Sequence, residues 1–301
     1  MKSKRKRRKL NTKRIFFAFL ILCAIIIGFI SLINKNSNTT NSQNTTVSDN
    51  SSNNSSQNSN TTTEAKPSIV DTLTPEQIQV SQDRGLPVLM YHFFYDETAG
   101  ETGKDNNYME IHDFEEQIKY LAENNYYVPT WEEVVSYVNG KKGLPEKSII
   151  ITVDDGDESF FRLAVPVLEK YNFTATSFLI TSWYGSATSK HASSVVDYQS
   201  HSDNMHRAGS DGKGAFLTLS YENACKDLEQ SRAIIGDACR VFCYPFGHFN
   251  DNVKNTLKDC NYILAFTTKN GRVFPGMDVY ELPRVRMSKG VSLNAFINMV
   301  K

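Results

Sequence analysis

Residues 148–156 read SIIITVDDG, an apolar and mostly β-branched run that ends in two carboxylates and a glycine. A continuous apolar run of this kind is typical of a strand that is covered on both faces, as in a parallel sheet. Asp154 and Asp155 therefore lie where a buried strand ends. Two adjacent carboxylates in such a place repel each other unless a cation or hydrogen bonds compensate their charge. A polar turn that caps a following helix is the alternative interpretation of these residues alone.

Short apolar runs alternate with helix-period segments from about residue 84 to residue 301. The predicted strands are 86–94, 126–130, 148–153, 173–181, 195–200, 240–246, 262–268 and 282–287, and the predicted helices are 111–125, 130–140, 158–171, 220–235 and 250–259. Such alternation predicts a parallel α/β domain, either an open sheet or a barrel of β/α units. In a barrel the chemistry lies at the carboxyl ends of the strands.

Two histidines, His201 and His206, stand five residues apart after the predicted strand 195–200. On a helix their rings would point about 140° apart, and on one strand they would face opposite sides. They converge only if His201 ends the strand and the chain loops back. With one carboxylate of the Asp-Asp pair they would then form a three-ligand catalytic zinc site with an open position for water. A pair of surface histidines is the alternative.

The N-terminus predicts a membrane anchor. Residues 1–14 hold nine Lys or Arg and no acidic residue, and residues 15–33 carry no charge. A helix of nineteen residues, at ~1.5 Å each, just crosses a bilayer core of ~30 Å, and the basic flank keeps the N-terminus in the cytoplasm. We therefore predict a single-pass transmembrane signal anchor in the cell membrane with the rest of the chain outside. Secretion after cleavage of a signal peptide is the alternative.

The segment after the predicted anchor, residues 34–63, consists almost only of Asn, Ser, Thr and Gln. It has nothing to bury, so we predict a disordered stalk, which continues as a linker to residue 83. Without the nine basic residues of the tail, the chain has 24 Lys and Arg against 33 acidic residues, a formal charge of −9. This balance argues against nucleic acid as a ligand and is compatible with neutral or cationic glycans.

Four cysteines follow the predicted anchor, at positions 225, 239, 243 and 260. Four cysteines allow three disulfide pairings, and their spacing does not choose among them. Free buried thiols are the alternative to a bridge. None of the four has C-x-x-C spacing, which argues against a cysteine-type zinc site.

Four ordered motifs resemble the polysaccharide deacetylase family, which shares the NodB homology domain of carbohydrate esterase family 4. They are VLMYH (88–92), ITVDDGDESF (151–160), SHSDNMH (200–206) and YPFG (244–247). The third is similar to the S-H-T-x-x-L-H form of the branch that includes poly-N-acetylglucosamine deacetylases, and the first is a further mark of that branch. The resemblance covers residues 84–301 and implies a distorted (β/α) barrel of parallel strands.

The resemblance also implies roles for the residues of the motifs. Asp154 would be the general base, and Asp155, His201 and His206 would bind one divalent metal ion, most simply zinc. These roles suit amide hydrolysis, which needs an activated water, stabilisation of the carbonyl oxygen and a proton for the departing amine.

Further residues complete the implied site. The backbone N–H of Phe246 would help to form the oxyanion site, and Tyr244 and Pro245 of the same motif would contact the substrate. His92 would be the general acid, as in the poly-N-acetylglucosamine branch, and His248 is a second candidate.

Arg284 is a candidate to orient Asp154 through a charge-assisted hydrogen bond. Arg286 follows two positions later on the same predicted strand, and the sequence does not settle which of the two arginines points inward. The chain departs from the family before the YPFG motif, where most members have an arginine and Cys243 stands here. Asp157 replaces a common aromatic residue after D-D-G.

Three hypotheses about function follow. The first is an N-deacetylase that acts outside the cell on an N-acetylglucosamine polymer, either cell-wall glycan or exported poly-N-acetylglucosamine. The second is an O-acetyl polysaccharide esterase with the same fold and metal. The third is a non-catalytic glycan-binding module, which would need neither a base nor a full set of metal ligands.

Overall fold

Seven strands pair in parallel and close into a barrel in the computed structural model, which describes residues 68–301. In chain order the strands are β1 Val88–Tyr91, β2 Phe93–Tyr95, β3 Tyr108–Glu110, β4 Ile150–Asp155, β5 Ala175–Leu179, β6 Val196–Ser200, β7 Val241–Cys243, β8 Leu264–Asn270 and β9 Leu282–Arg286. The barrel runs β1-β4-β5-β6-β7-β8-β9, and β9 returns to β1. β2 and β3 form a separate parallel pair. The predicted parallel α/β barrel is thus confirmed.

Most of the helices lie between successive strands, as the alternation of the sequence predicts, whereas the first helix precedes β1 and the last follows β9. They are α1 Pro75–Arg84, α2 Ile111–Glu123, α3 Trp131–Val138, α4 Val165–Tyr171, α5 Thr181–Tyr184, α6 Ala187–Lys190, α7 Tyr221–Ile235, α8 Asp251–Asp259 and α9 Leu293–Val300. A π-helical turn, Phe160–Ala164, precedes α4, and short 3-10 turns cover Ile69–Thr72, Ala215–Leu217 and Pro245–Gly247. In the part of the chain that the structure describes, no helix is long and apolar enough to cross a membrane.

β4 sends alternate side chains to two different apolar clusters. Ile151 and Val153 pack in the cluster that includes the buried face of α2, whereas Ile150 packs with Phe178 and other side chains of a second cluster. This period of two is the ordinary geometry of a strand. Asp154 shares the face of Ile150 and is almost completely buried.

The linker predicted to extend to residue 83 differs from the structure at its end. Helix α1 begins after Thr74, whose side chain forms a capping box with Gln77. The hydroxyl of Tyr137 donates to the carbonyl oxygen of Ser81 at 2.9 Å, and Val70 is buried. Residues 68–84 therefore pack on the barrel, because a cap, a proline at the first helical position and a few apolar contacts order them. The predicted tail, anchor and stalk up to residue 67 lie outside the described residues.

Two predicted strands also differ. Segment 126–130 is not a strand, since only an isolated bridge joins Tyr127 to Ser148, and Thr130 caps α3. Segment 86–94 is divided at His92 into β1 and β2. This break matters for the site, because it places His92 at the carboxyl end of a barrel strand.

Candidate active site

Asp154 and Arg284 form a buried, two-pronged ion pair inside the barrel. The two terminal nitrogens of Arg284 donate to the two carboxylate oxygens of Asp154, each at 2.7 Å. Arg284 is fixed in turn by its bonds to Thr152 Oγ1 and to the carbonyl oxygen of Thr267, both at 3.0 Å. Burial alone would raise the pKa of Asp154, but the charge and hydrogen bonds of Arg284 outweigh burial and hold that pKa well below its ordinary value. Asp154 is therefore ionised at neutral pH.

Cys243 completes this buried cluster from β7. Its sulfur accepts from Arg284 Nη2 at 3.0 Å and lies 3.5 Å from Asp154 Oδ2. Burial raises the pKa of the Cys243 thiol well above its ordinary value, so the thiol keeps its proton and can donate it to Asp154. Nothing in the sequence predicted this role. Arg286, the last residue of β9, is exposed and donates to Asn107 instead.

Asp155 turns away from the line of β4 because its backbone is left-handed, with φ of 75°. Gly156 follows with φ of 79°, and a Cβ at that position would lie 2.3 Å from Leu179 Cδ2. Only glycine fits there. The turn brings Asp155 Oδ1 to 3.4 Å from His201 Nε2 and 3.5 Å from His206 Nε2.

The loop between the two histidines turns back as the sequence requires for a shared ligand. Ser202, directly after His201, has φ of 79°, and its hydroxyl accepts from the N–H of Met205 at 3.1 Å. Asp227 of α7 holds the middle of the loop, since its two carboxylate oxygens accept from the N–H groups of Asp203 at 2.8 Å and Asn204 at 2.9 Å. The buried Met205 side chain anchors the loop.

The ring of His201 is in the tautomer that a metal ion requires, and the pKa values of both histidines favour the neutral form. His201 Nδ1 lies 2.7 Å from the carbonyl oxygen of Cys243. A carbonyl only accepts, so Nδ1 carries the proton and Nε2 presents its lone pair to Asp155. Burial lowers the pKa of His201 to about 3, and burial also lowers the pKa of His206. Neutral imidazoles with one nitrogen held by a backbone carbonyl are typical of metal ligands.

The carboxylate oxygen between these rings supports a bound cation. Asp155 Oδ1 is buried and has no hydrogen-bond partner among the described residues. Burial, reinforced by the charge of Asp154, raises the pKa of Asp155 to about 7. The ligand atoms of Asp155, His201 and His206 lie within 4.8 Å of one another. A divalent ion would satisfy the unpaired oxygen, and one carboxylate with two imidazoles suits zinc and similar ions.

A second group, formed by Asp154, His201 and Cys243, also lies within that distance. It suits a metal less well, because both oxygens of Asp154 already accept from Arg284 and the Cys243 thiol is protonated. We therefore take the Asp155 group as the candidate metal centre.

The two candidate acids lie in different surroundings. His92 is mostly buried, and its Nε2 lies 3.8 Å from Asp154 Oδ2. Burial lowers the pKa of His92, and the charge of Asp154 opposes that change. His248 is exposed, and its Nδ1 accepts from the N–H of Gly214 at 3.0 Å. Of these two histidines, only His92 lies beside Asp154.

The turn after β7 separates the residues of the YPFG motif. Phe246 has φ of 59°, and the backbone hydrogen bonds of the turn are donated by Gly247 and His248, so the Phe246 N–H takes no part in them. Its ring is 45 % exposed and lies 4.3 Å from the ring of His206. Tyr244 and Pro245 are buried, and the Tyr244 hydroxyl donates to the carbonyl oxygen of Tyr280 at 2.9 Å. The prediction that these two side chains contact substrate is therefore wrong, because the strand end directs them into the core.

One aromatic residue at the site, Trp183, was not predicted from the sequence. Trp183 of α5 is 56 % exposed, and its ring lies 5.6 Å from that of His206. Trp183 and Phe246 thus both contact His206. The signal in the sequence was a tryptophan just after the predicted strand 173–181, at the end of the barrel where the site was expected. The other two histidines lie elsewhere, His112 at the start of α2 and His191 after α6.

Comparison with known proteins finds similarity to deacetylases. Residues 141–265 match the family model described as polysaccharide deacetylase. Over 206 residues the chain is 29% identical to the poly-β-1,6-N-acetyl-D-glucosamine N-deacetylase of Staphylococcus epidermidis, covering 63% of this chain and 70% of that protein. The enzyme of the same name from Staphylococcus aureus is 27% identical, and the match covers 62% of this chain and 69% of that protein.

Solved structures show the same fold. A deacetylase of Streptococcus pyogenes, PplD, superposes with a TM-score of 0.62 at 21% identity, over 72% of this chain and 98% of that one. IcaB from Ammonifex degensii superposes with a TM-score of 0.59 at 24% identity, over 72% of this chain and 95% of that one. BC0361, a polysaccharide deacetylase from Bacillus cereus, superposes with a TM-score of 0.59 at 26% identity, over 72% of this chain and 69% of that one.

Proposed function

Residues 141–265 belong to the polysaccharide deacetylase family, and on that premise we propose that the chain is a metal-dependent hydrolase that removes N-acetyl groups from an N-acetylglucosamine polysaccharide. The family and the enzyme class predicted from the motifs are confirmed. The substrate, the metal and the residue roles are the proposal.

One observation carries the proposal most directly. The unpaired, buried oxygen of Asp155 faces the lone-pair side of His201 and the ring of His206, directly beside a second carboxylate that Arg284 keeps ionised. A binding module has no need of this arrangement. A hydrolase uses it, because one carboxylate can hold a cation while its neighbour takes up a proton.

Asp155, His201 and His206 would hold the divalent ion. When bound, such an ion lowers the pKa of a water molecule and polarises a carbonyl group. The need for it follows from Asp154, whose pKa is held so low by Arg284 that it is a weak base towards ordinary water. Asp154 alone would therefore not activate water well enough, and a cation that acidifies the water is needed.

Asp154 is the base and His92 the acid in this proposal. Asp154 is fixed in position by Arg284 and takes the proton of the attacking water at a carboxylate oxygen. Because its pKa is low, it releases that proton readily. His92 Nε2 lies 3.8 Å from Asp154 Oδ2. His92, whose ring is neutral at rest, can therefore gain a proton during the reaction and donate it to the departing amine.

The carbonyl oxygen of the acetamide would accept from the backbone N–H of Phe246. That N–H belongs to a strained turn at the end of β7 and is not used within the turn. A backbone donor that is fixed before the reaction stabilises developing negative charge without reorganisation.

The exposed rings of Trp183 and Phe246 beside His206 would pack against sugar rings. Exposed aromatic rings combine a large apolar face with little loss of side-chain freedom. The acidic balance of the chain beyond its first fourteen residues agrees with a product that becomes cationic as amines are freed. The Staphylococcus relatives, named for poly-β-1,6-N-acetyl-D-glucosamine, favour that polymer over others.

We also propose the arrangement in the cell that the N-terminus suggests. Residues 1–14 would remain in the cytoplasm, residues 15–33 would anchor the chain, and a stalk would hold the catalytic domain outside the membrane. Its support is the charge and hydropathy pattern of the sequence alone.

The test uses the full chain in detergent, loaded with zinc, on three substrates: β-1,6-linked and β-1,4-linked N-acetylglucosamine oligomers and acetylated xylan. Acetate and new primary amines are measured with and without a chelator. We expect chelator-sensitive release of both products, fastest from the β-1,6 oligomer. Acetate from xylan without amine from either oligomer would establish the O-acetyl esterase instead. No product from any substrate would contradict the proposal.

A further inference from the structure

Two thiols that the candidate active site does not use lie against each other between α7 and α8. The sulfur atoms of Cys225 and Cys260 are 3.0 Å apart. That separation is only about 1 Å longer than a disulfide bond of ~2.05 Å. Cys225 lies on α7, and Cys260 is the residue that ends α8.

The other two cysteines of the described chain have different neighbours. The Cys243 sulfur contacts Arg284 and Asp154, and the Cys239 sulfur lies 4.0 Å from the hydroxyl of Tyr262. Both are fully buried. Of the three pairings that the sequence allows, the structure therefore favours the one that joins Cys225 to Cys260.

We propose that Cys225 and Cys260 form a disulfide bond when the chain meets an oxidising disulfide donor, and that this bond ties α7 to the end of α8. The inference rests on the position of the two sulfurs and does not depend on the proposed function.

The order of events follows from exposure. Cys225 is partly exposed, whereas Cys260 is buried, and burial raises the pKa of the Cys260 thiol to about 12. The thiolate of Cys225 attacks the donor disulfide and releases one donor thiol. The sulfur of Cys260 then loses its proton, attacks Cys225 and displaces the second donor thiol. Two electrons and two protons thus pass from the protein thiols to the donor, which is reduced to two thiols.

The bond would enclose the part of the chain that builds one side of the site. Residues 225–260 include β7, with Cys243, and the turn that carries Phe246. Cys225 also lies two positions before Asp227, which holds the loop between the metal-binding histidines. Closing this loop reduces the freedom of the unfolded chain, so the folded state is stabilised.

A peptide map tests the pairing directly. The full chain is exposed to an oxidised small-molecule disulfide, denatured in an alkylating reagent and digested with trypsin without reductant. Trypsin places each of the five cysteines on a separate peptide, with Cys225 on 214–226 and Cys260 on 259–269. We expect these two peptides to be joined and to separate on reduction. Recovery of both as alkylated thiols, or a bond to the peptide of Cys239 or Cys243, would overturn the proposal.

Thermal unfolding gives a second, independent measurement. We expect the midpoint of the oxidised wild-type chain to exceed that of the reduced chain by on the order of 5–10 °C. Cys225→Ser and Cys260→Ser, which each keep four of the five thiols of the full chain, should each show the same unfolding midpoint with and without the donor. A donor-dependent increase that persists in either variant would contradict the assignment.

Discussion

Arg284 donates to both oxygens of Asp154 at 2.7 Å, and this pair joins two strands that are not neighbours, since β1 lies between β9 and β4. The guanidinium fixes the plane of the carboxylate and leaves Oδ2 facing His92. The proposed base is thus oriented from the last strand of the barrel, and Cys243, directly before the YPFG motif, contacts the same pair.

Removing the guanidinium should leave a buried carboxylate without a partner. We expect Arg284→Met to lower the free energy of unfolding by about 3–5 kcal/mol, because an unpaired buried charge is costly. Urea unfolding followed by tryptophan fluorescence measures this change. The double variant Arg284→Met with Asp154→Asn should recover part of the loss. Equal stability of Arg284→Met and the wild-type chain would show that the pair is not the buried structural contact described.

His206 and Cys243 distinguish the two possible metal sites, since each belongs to only one of them. We expect His206→Ala to lower zinc affinity on the order of 100-fold or more, because it removes a direct ligand, whereas Cys243→Ala should retain the ion. Competition with a chromogenic chelator measures both affinities. The reverse result would move the centre to Asp154, His201 and Cys243.

Asp227 should matter for metal binding although it is not a ligand. Its carboxylate accepts two backbone N–H groups of the histidine loop, and the amide nitrogen of asparagine cannot accept from an N–H. We expect Asp227→Asn to weaken zinc binding about 10- to 100-fold, as is usual for groups that orient ligands. Glu229→Gln, an exposed change on the same helix, is the matched control and should leave affinity unaltered. Equal affinities of the two variants would exclude this positioning role.

Trp183 should affect substrate binding more than chemistry. We expect Trp183→Ala to raise KM for an N-acetylglucosamine oligomer about tenfold, or ~1.4 kcal/mol, with kcat nearly unchanged, because its ring would contact the sugar in ground and transition states alike. Tyr221→Ala removes another exposed aromatic side chain, one that lies near Asp259, and should change neither constant. A fall in kcat with constant KM would argue against a simple binding contact.

The features that the sequence predicted well are those set by local pattern. The run 148–153 is mostly apolar and β-branched, and its residues Ile150–Val153 lie in the buried strand β4. Strand–helix alternation predicted a parallel α/β domain, and the resemblance to the family implied that it is a barrel. The return of His206 towards His201 followed from spacing, since neither a helix nor a strand could bring the rings together.

Long-range packing explains the remainder. Arg284 is buried inside the barrel whereas Arg286, at the end of the same strand, is exposed, and this difference depends on how the strands pack. Asp227 reaches the histidine loop from a helix more than twenty residues away. The burial of Tyr244 depends on Tyr280, whose carbonyl oxygen accepts a hydrogen bond from the Tyr244 hydroxyl. Neither contact leaves a local signature in the sequence.

The metal content of Asp154→Asn tests the central claim, which is that Asp154 acts as the base while the adjacent Asp155 binds the metal ion. The full-length variant is loaded with zinc beside Asp155→Asn, and bound zinc and acetate release are measured on the same samples. We expect Asp154→Asn to keep one ion per chain while releasing almost no acetate, and Asp155→Asn to lose both. An Asp154→Asn chain that fails to bind zinc, or an Asp155→Asn chain that binds it as the wild type does, would contradict the account.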